Sequence, residues 1–210
     1  MIILSHRGFW IKKEEKNTEQ AFVRSFENGF GIETDVRDYK GEIVISHDIP
    51  KGNEISLEDL LKIMNGRNLL LALNIKADGL CEKIIDILNK YNHTNYFTFD
   101  MSLPELYQQV KKKIKVFTGM SDINKNPPLI KQSEGVWLDA FDNEWYKTED
   151  ITDILKNNKK VFIVSNELHN RDNKKQWEMI KNSQLIDNEY KEKLLLCTDK
   201  PKEAQNFFNL

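Results

Sequence analysis

The sequence predicts an α/β fold, a single (β/α)8 TIM barrel with a small hairpin insertion after strand 2, occupying residues 1–210 as one domain. Three observations lead there. Eight short apolar runs alternate with amphipathic segments, as expected for parallel strands joined by helices. Polar and charged residues gather at the C-terminal ends of those runs, the face on which such barrels build their sites. The first run ends in "SHRG", without the glycine-rich phosphate loop that a doubly wound open sheet would place after its first strand.

Taken in order, the strand-like runs are "IILSH" (2–6), "GIETDV" (31–36), "LLLALNIK" (69–76), "NYFTFD" (95–100), "IKVFTG" (114–119), "GVWLDAF" (135–141), "KVFIVSNE" (160–167) and "LLLCTD" (194–199). Between them, "NTEQAFVRSFENG" opens on a capping-type Asn-Thr and stops at Gly29, the pattern of a helix. "SLEDLLKIM" has Ser56 as its N-cap, and "DGLCEKIIDILNKY" repeats apolar residues at three and four spacing. "SLPELYQQVKKK", "TEDITDILKNN" and "NKKQWEMIKNSQ" read the same way, whereas a helix within 122–133 is interrupted by Pro127-Pro128. "DYKGE" after the second run reads as a turn into an extra short strand ending at His47.

Composition narrows the function classes. A net charge of −2 with both signs interspersed gives no electrostatic case for nucleic acid. Lys111-Lys112-Lys113 reads as cations at a helix C-terminus. Cys81 and Cys197 stand in no metal or redox spacing and are expected to be reduced thiols. No run reaches the roughly 18 apolar residues of a membrane span, and "MIILSHRGFW" lacks the basic start of a signal peptide. A cytoplasmic chain without stable membrane insertion is expected, its oligomeric state open.

The second run carries the chemistry. Glu33 and Asp35 stand two apart and so share one strand face, as do Ala72, Asn74 and Lys76 on the third run. Buried unpaired charge is costly, so converging charged groups must satisfy one another or a ligand. Two readings are open. The carboxylates could share a hard cation, Mg²⁺ or Ca²⁺, through oxygen, or they could form an ion-paired cluster with Arg7 and Lys76 and no metal. His6 and His47, at strand ends, have the residue type for general acid and base. Trp137, in "WLDAFDNEW", could stack a sugar or base or serve the core. Glu167 ends the seventh run and joins Trp137 as a substrate-binding candidate. His93 and His169 receive no role.

"HRG" followed by "NT..AF", then "G.GIETDVRD" and "G.IVISHD", resembles the signature of the glycerophosphodiester phosphodiesterase family, within the wider group of phospholipase C-like barrel phosphodiesterases. The similarity is concentrated in residues 1–50 and returns at "LNIK" and "CTDKPKEA". It implies a (β/α)8 barrel, divalent-metal-dependent cleavage of a small-molecule phosphodiester, and a place in lipid metabolism. It further implies metal ligation by Glu33 and Asp35, acid–base roles for His6 and His47, and phosphate contact by Arg7 and Lys76. Two departures stand out. Lys16 replaces the glutamate usual before Asn-Thr, and Asn74 stands where a third acidic ligand is usual; its amide oxygen is expected to be the third ligand of a Mg²⁺ or Ca²⁺ site, with Asp100 and Asp139 as alternatives. Two other functions remain in view: a barrel that binds phosphorylated ligands without turnover, its metal site weakened at Asn74, and a phospholipid-cleaving enzyme that meets a membrane surface through Phe9-Trp10.

Overall fold

The computed structural model describes residues 1–183, 185–186 and 189–210. The chain forms two compact units, Ser5–Lys115 and Met1–Leu4 with Val116–Leu210. The strands are β1 (Ile2–His6), β2 (Gly31–Tyr39), β3 (Glu42–Ile45), β4 (Leu71–Ile75), β5 (Tyr96–Phe99), β6 (Phe117–Met120), β7 (Gly135–Leu138), β8 (Lys160–Val164) and β9 (Leu194–Thr198). The helices are α1 (Glu19–Glu27), α2 (Leu57–Met64), α3 (Cys81–Lys90), α4 (Leu103–Lys111), α5 (Thr148–Lys156), α6 (Lys174–Asn182) and α7 (Pro201–Phe208). The sheet runs in the order β5-β4-β2-β1-β9-β8-β7-β6, and β3 pairs with β2 alone, antiparallel. This alternation of parallel strands and helices is the (β/α)8 barrel fold.

In the Ser5–Lys115 unit, strand parity divides the residues. Ile32 and Val36 of β2, with Leu71, Leu73 and Ile75 of β4, pack against Phe22 and Phe26 of α1, Leu57 and Leu60 of α2, and Ile84 and Leu88 of α3. Each fully buried Leu or Ile in this layer contributes about 1.5–3 kcal/mol by leaving water. The alternate residues form rows across the other face: Glu33 beside Ala72, which neighbours Phe97, and Asp35 beside Asn74, which neighbours Phe99. Ala72 is small enough to leave the Glu33 side chain room on its row. Helix starts follow the sequence signals, since Ser56 Oγ accepts from Asp59 N at 3.0 Å and Ser102 Oγ from Glu105 N at 3.3 Å. The β2–β3 hairpin turns on Lys40 and Gly41, both at positive φ, 47° and 84°, as a two-residue turn matched to strand twist requires.

In the other unit, β6 leads to β7 without a helix, and β7, β8 and β9 are followed by α5, α6 and α7. Trp177 of α6 packs its ring on Phe207 and Phe208 of α7 and donates its indole N–H to Ser165 Oγ at 2.8 Å. The segment 122–133 contains no helix. Pro127-Pro128 removes two backbone donors, and the chain is pinned instead by Thr118 Oγ1 donating to the Pro128 carbonyl at 2.8 Å. The last residue of the expected seventh helical segment, position 184, lies outside the described residues. The C-terminal helix α7 has Pro201 in its first turn, a start signal that local pattern makes legible.

Candidate functional site

The site begins with a turn. Arg7, just past β1, sits in the left-handed region at φ 56°, and its N–H donates to the Glu33 carbonyl at 2.8 Å. Gly8 follows at φ 85°, where an added Cβ would lie 2.8 Å from Ala21 Cβ of α1. Only glycine satisfies both the positive φ and the close approach. The turn brings Arg7 to the carboxylates of β2.

Asp35 is fully buried and Glu33 is 2% exposed. Arg7 Nε lies 2.8 Å from Asp35 Oδ2, and Lys76 Nζ lies 3.7 Å from Oδ1. The Arg7 Nε–H is not aligned for a hydrogen bond at that distance, so the contact is an ion pair. Asn17 Nδ2 donates to Asp35 Oδ2 at 3.0 Å. Lys76 is shared with Asp100, at 3.0 Å. Asn74 Nδ2 donates to Glu33 Oε1 at 3.3 Å, and His6 Nε2 stands 3.9 Å from Glu33 Oε2. Burial first, and the neighbouring Asp35 carboxylate second, push the Glu33 carboxyl up to about 8, against the opposing pull of Arg7, Lys76 and Asn74. The shift favours the protonated form of Glu33, while Asp35 is matched by Arg7 and by a Lys76 that it shares with Asp100.

This arrangement corrects the expected Mg²⁺ or Ca²⁺ centre. Among the described residues, no group of three or more His, Cys, Asp or Glu is placed to hold a metal ion. Glu33 and Asp35 supply only two carboxyl groups, and Asn74 turns its amide donor toward Glu33. Asp100 is half exposed and tied to Lys76. Asp139 accepts from His169 Nε2 at 2.7 Å and from Ala140 N at 2.7 Å. The residues present do not fit the divalent cation, and the metal-dependent reading falls with it. The second reading of the acidic pair, an ion-paired cluster with Arg7 and Lys76, describes the contacts found.

Buried oxygens remain without a hydrogen-bond partner at the same centre: Glu33 Oε2, Asp35 Oδ1 and Asn74 Oδ1. A proton on Glu33 turns one of these acceptors into a donor, which agrees with the upward shift of its carboxyl.

A cavity of about 540 Å³ adjoins the centre, lined among others by Arg7, Lys16, Asn17, His47, Asp48 and Lys51. His47 is half exposed, and its Nδ1 meets Asp48 Oδ1 at 2.9 Å. That bond holds the Asp48 carboxyl below its ordinary range. Lys16 lies 4.5 Å over the Trp10 ring. Thus His6, Arg7, Glu33, Asp35, Asn74, Lys76 and Asp100 meet in one cluster, and His47 reaches it through the cavity it shares with Arg7. Trp137 and Glu167 belong to the other unit. Trp137 packs edge-on to Phe162 at 4.6 Å, and Glu167 accepts from Ser165 Oγ, Thr198 Oγ1 and the Asp199 N–H. Sequence reading passed over Asn17, although the Asn-Thr pair in its motif was the available signal.

Three solved structures share the fold over nearly the whole chain. An Oleispira antarctica phosphodiesterase, in complex with the product sn-glycerol-3-phosphate, is 15% identical with a TM-score of 0.72, covering 100% of this chain and 97% of its own. A glycerophosphodiester phosphodiesterase from Agrobacterium tumefaciens is 16% identical with a TM-score of 0.70, covering 100% of each chain. A glycerophosphoryl diester phosphodiesterase from Parabacteroides distasonis is 14% identical with a TM-score of 0.66, covering 99% and 86%. No protein-family model matches the chain. No curated protein matches it either. The likeness is one of fold.

Proposed function

We propose that this barrel binds a phosphorylated small molecule through Arg7 and Lys76 without a divalent cation. The observation that carries the reading is the compensation of Asp35 by Arg7 and Lys76 from within the chain, with Arg7 also lining the adjoining cavity. A guanidinium offers a planar fork of donors suited to phosphate oxygens, and Lys76 adds a point charge. His6 and His47 are proposed to hydrogen-bond the phosphate or its substituent. The product bound by the Oleispira structure, sn-glycerol-3-phosphate, makes that compound the first ligand to test.

One observation favours a second reading, cation-independent hydrolysis of a phosphodiester. Glu33, its carboxyl raised by burial and by Asp35 and standing 3.9 Å from His6, has the character of a proton donor at the centre. Calorimetric titration of chelator-treated protein with sn-glycerol-3-phosphate, beside an assay for release of an alcohol from glycerophosphodiesters, tests both. Binding that disappears in Arg7→Gln, with no turnover, supports the binding role. Turnover that persists in chelator and is lost in Glu33→Gln supports the second reading. Binding unaffected by both Arg7→Gln and Lys76→Met would contradict the site.

A further inference from the structure

Asn17 touches the centre by three separate routes. Its N–H donates to the Arg7 carbonyl at 2.9 Å, its Oδ1 accepts from Thr34 Oγ1 at 2.8 Å, and its Nδ2 donates to Asp35 Oδ2 at 3.0 Å. Oδ2 is the same oxygen that Arg7 Nε approaches at 2.8 Å. Asn17 and Arg7 are both left-handed, at φ 59° and 56°. A left-handed arginine persists only where its surroundings over-determine it, and asparagine is the non-glycine residue best suited to accept the matching conformation. Both residues line the cavity.

We propose that Asn17 is a positioning residue: it fixes the Arg7 turn by its backbone and the Asp35 carboxylate by its amide, so that Nε faces Asp35 while the terminal nitrogens of Arg7 are presented to an anion in the cavity. This rests on the phosphate-binding reading for the anion, but not for the positioning itself. The amide is suited to the task because it supplies one donor to Asp35 and one acceptor to Thr34 without adding charge. A carboxylate of the same shape would lose the donor, repel Asp35 and draw the guanidinium toward itself.

The test uses the full chain with ¹⁵N-labelled arginine. The sequence has five arginines, so the Nε–Hε resonance of Arg7 can be assigned by its loss in Arg7→Lys. Two variants are compared with the wild type, Asn17→Gly, which keeps the left-handed backbone, and Asn17→Asp, which keeps the shape. Inorganic phosphate affinity is measured on each by calorimetry. The expected result is a shifted or exchange-broadened Arg7 resonance in both folded variants, with phosphate affinity reduced about tenfold or more, the scale of one misaligned charge-assisted hydrogen bond. A role confined to stability would lower the melting temperature and leave the resonance and the affinity of the folded protein unchanged. That result in either variant overturns the inference. A shifted resonance in a protein that binds no phosphate even as wild type upholds the positioning role and overturns the phosphate reading instead.

Discussion

Glu33 and Asp35 share a strand face, yet their environments separate them. Asp35 has Arg7, Lys76 and Asn17 around it, while Glu33 faces Asn74 and His6 and is pushed up to about 8. A group whose folded pKa is raised contributes stability that is complete below its unfolded value, near 4.5, and lost as pH rises to about 8. Urea denaturation across that window should show wild-type stability falling, and Glu33→Gln should remove this component and be the more stable protein above pH 8. Equal slopes for the two proteins would place the burden on other groups. His93 acts in the opposite sense. Burial holds its imidazole below the ordinary value, so its contribution is present above about pH 6.5 and lost on acidification. The comparison with Glu33→Gln cancels it. For Asp35→Asn, which removes the carboxylate facing Arg7 while Lys76 keeps Asp100, the expected cost is about 3–5 kcal/mol, read as a shift in the urea midpoint. A loss under about 1 kcal/mol would mean that Arg7 finds water instead.

The elements carry these residues through local features that differ in how well sequence encodes them. The hairpin was legible because its turn is a two-residue problem, solved by Lys40 and Gly41 at positive φ. Strand parity was equally local, so the common face of Glu33 and Asp35 followed from spacing alone. The 122–133 segment, read as a broken helix, has no helix, because Pro127 and Pro128 cannot donate to one. The choice between a cation and an internal ion-pair cluster was not legible. It depends on whether Arg7, 28 residues from Asp35 in sequence, turns inward, and that rests on the Gly8 contact with Ala21 and on Asn17. Hence Gly8→Ala should cost about 1–3 kcal/mol from positive φ and overpacking and should weaken any anion binding that depends on Arg7. A variant as stable as wild type in thermal denaturation would show that the turn tolerates a Cβ.

For the molecule as a whole, the alternation of eight apolar runs was sufficient to read the (β/α)8 fold, because a parallel sheet repeats its signal at every unit. The site does not repeat, and the resemblance in residues 1–50 led to a metal centre whose ligand set is incomplete here. No helix among the described residues is long and apolar enough to cross a membrane. Internal compensation at Asp35 makes a strong claim about ions: the protein should need no divalent cation for phosphate to bind. The most direct test is calorimetric titration of sn-glycerol-3-phosphate into the same preparation in excess chelator, in Mg²⁺ and in Ca²⁺. The expected result is one dissociation constant, equal within about twofold in all three. Binding that appears only with Mg²⁺ or Ca²⁺ and vanishes on chelation would contradict the compensated centre and return the carboxylates to a metal.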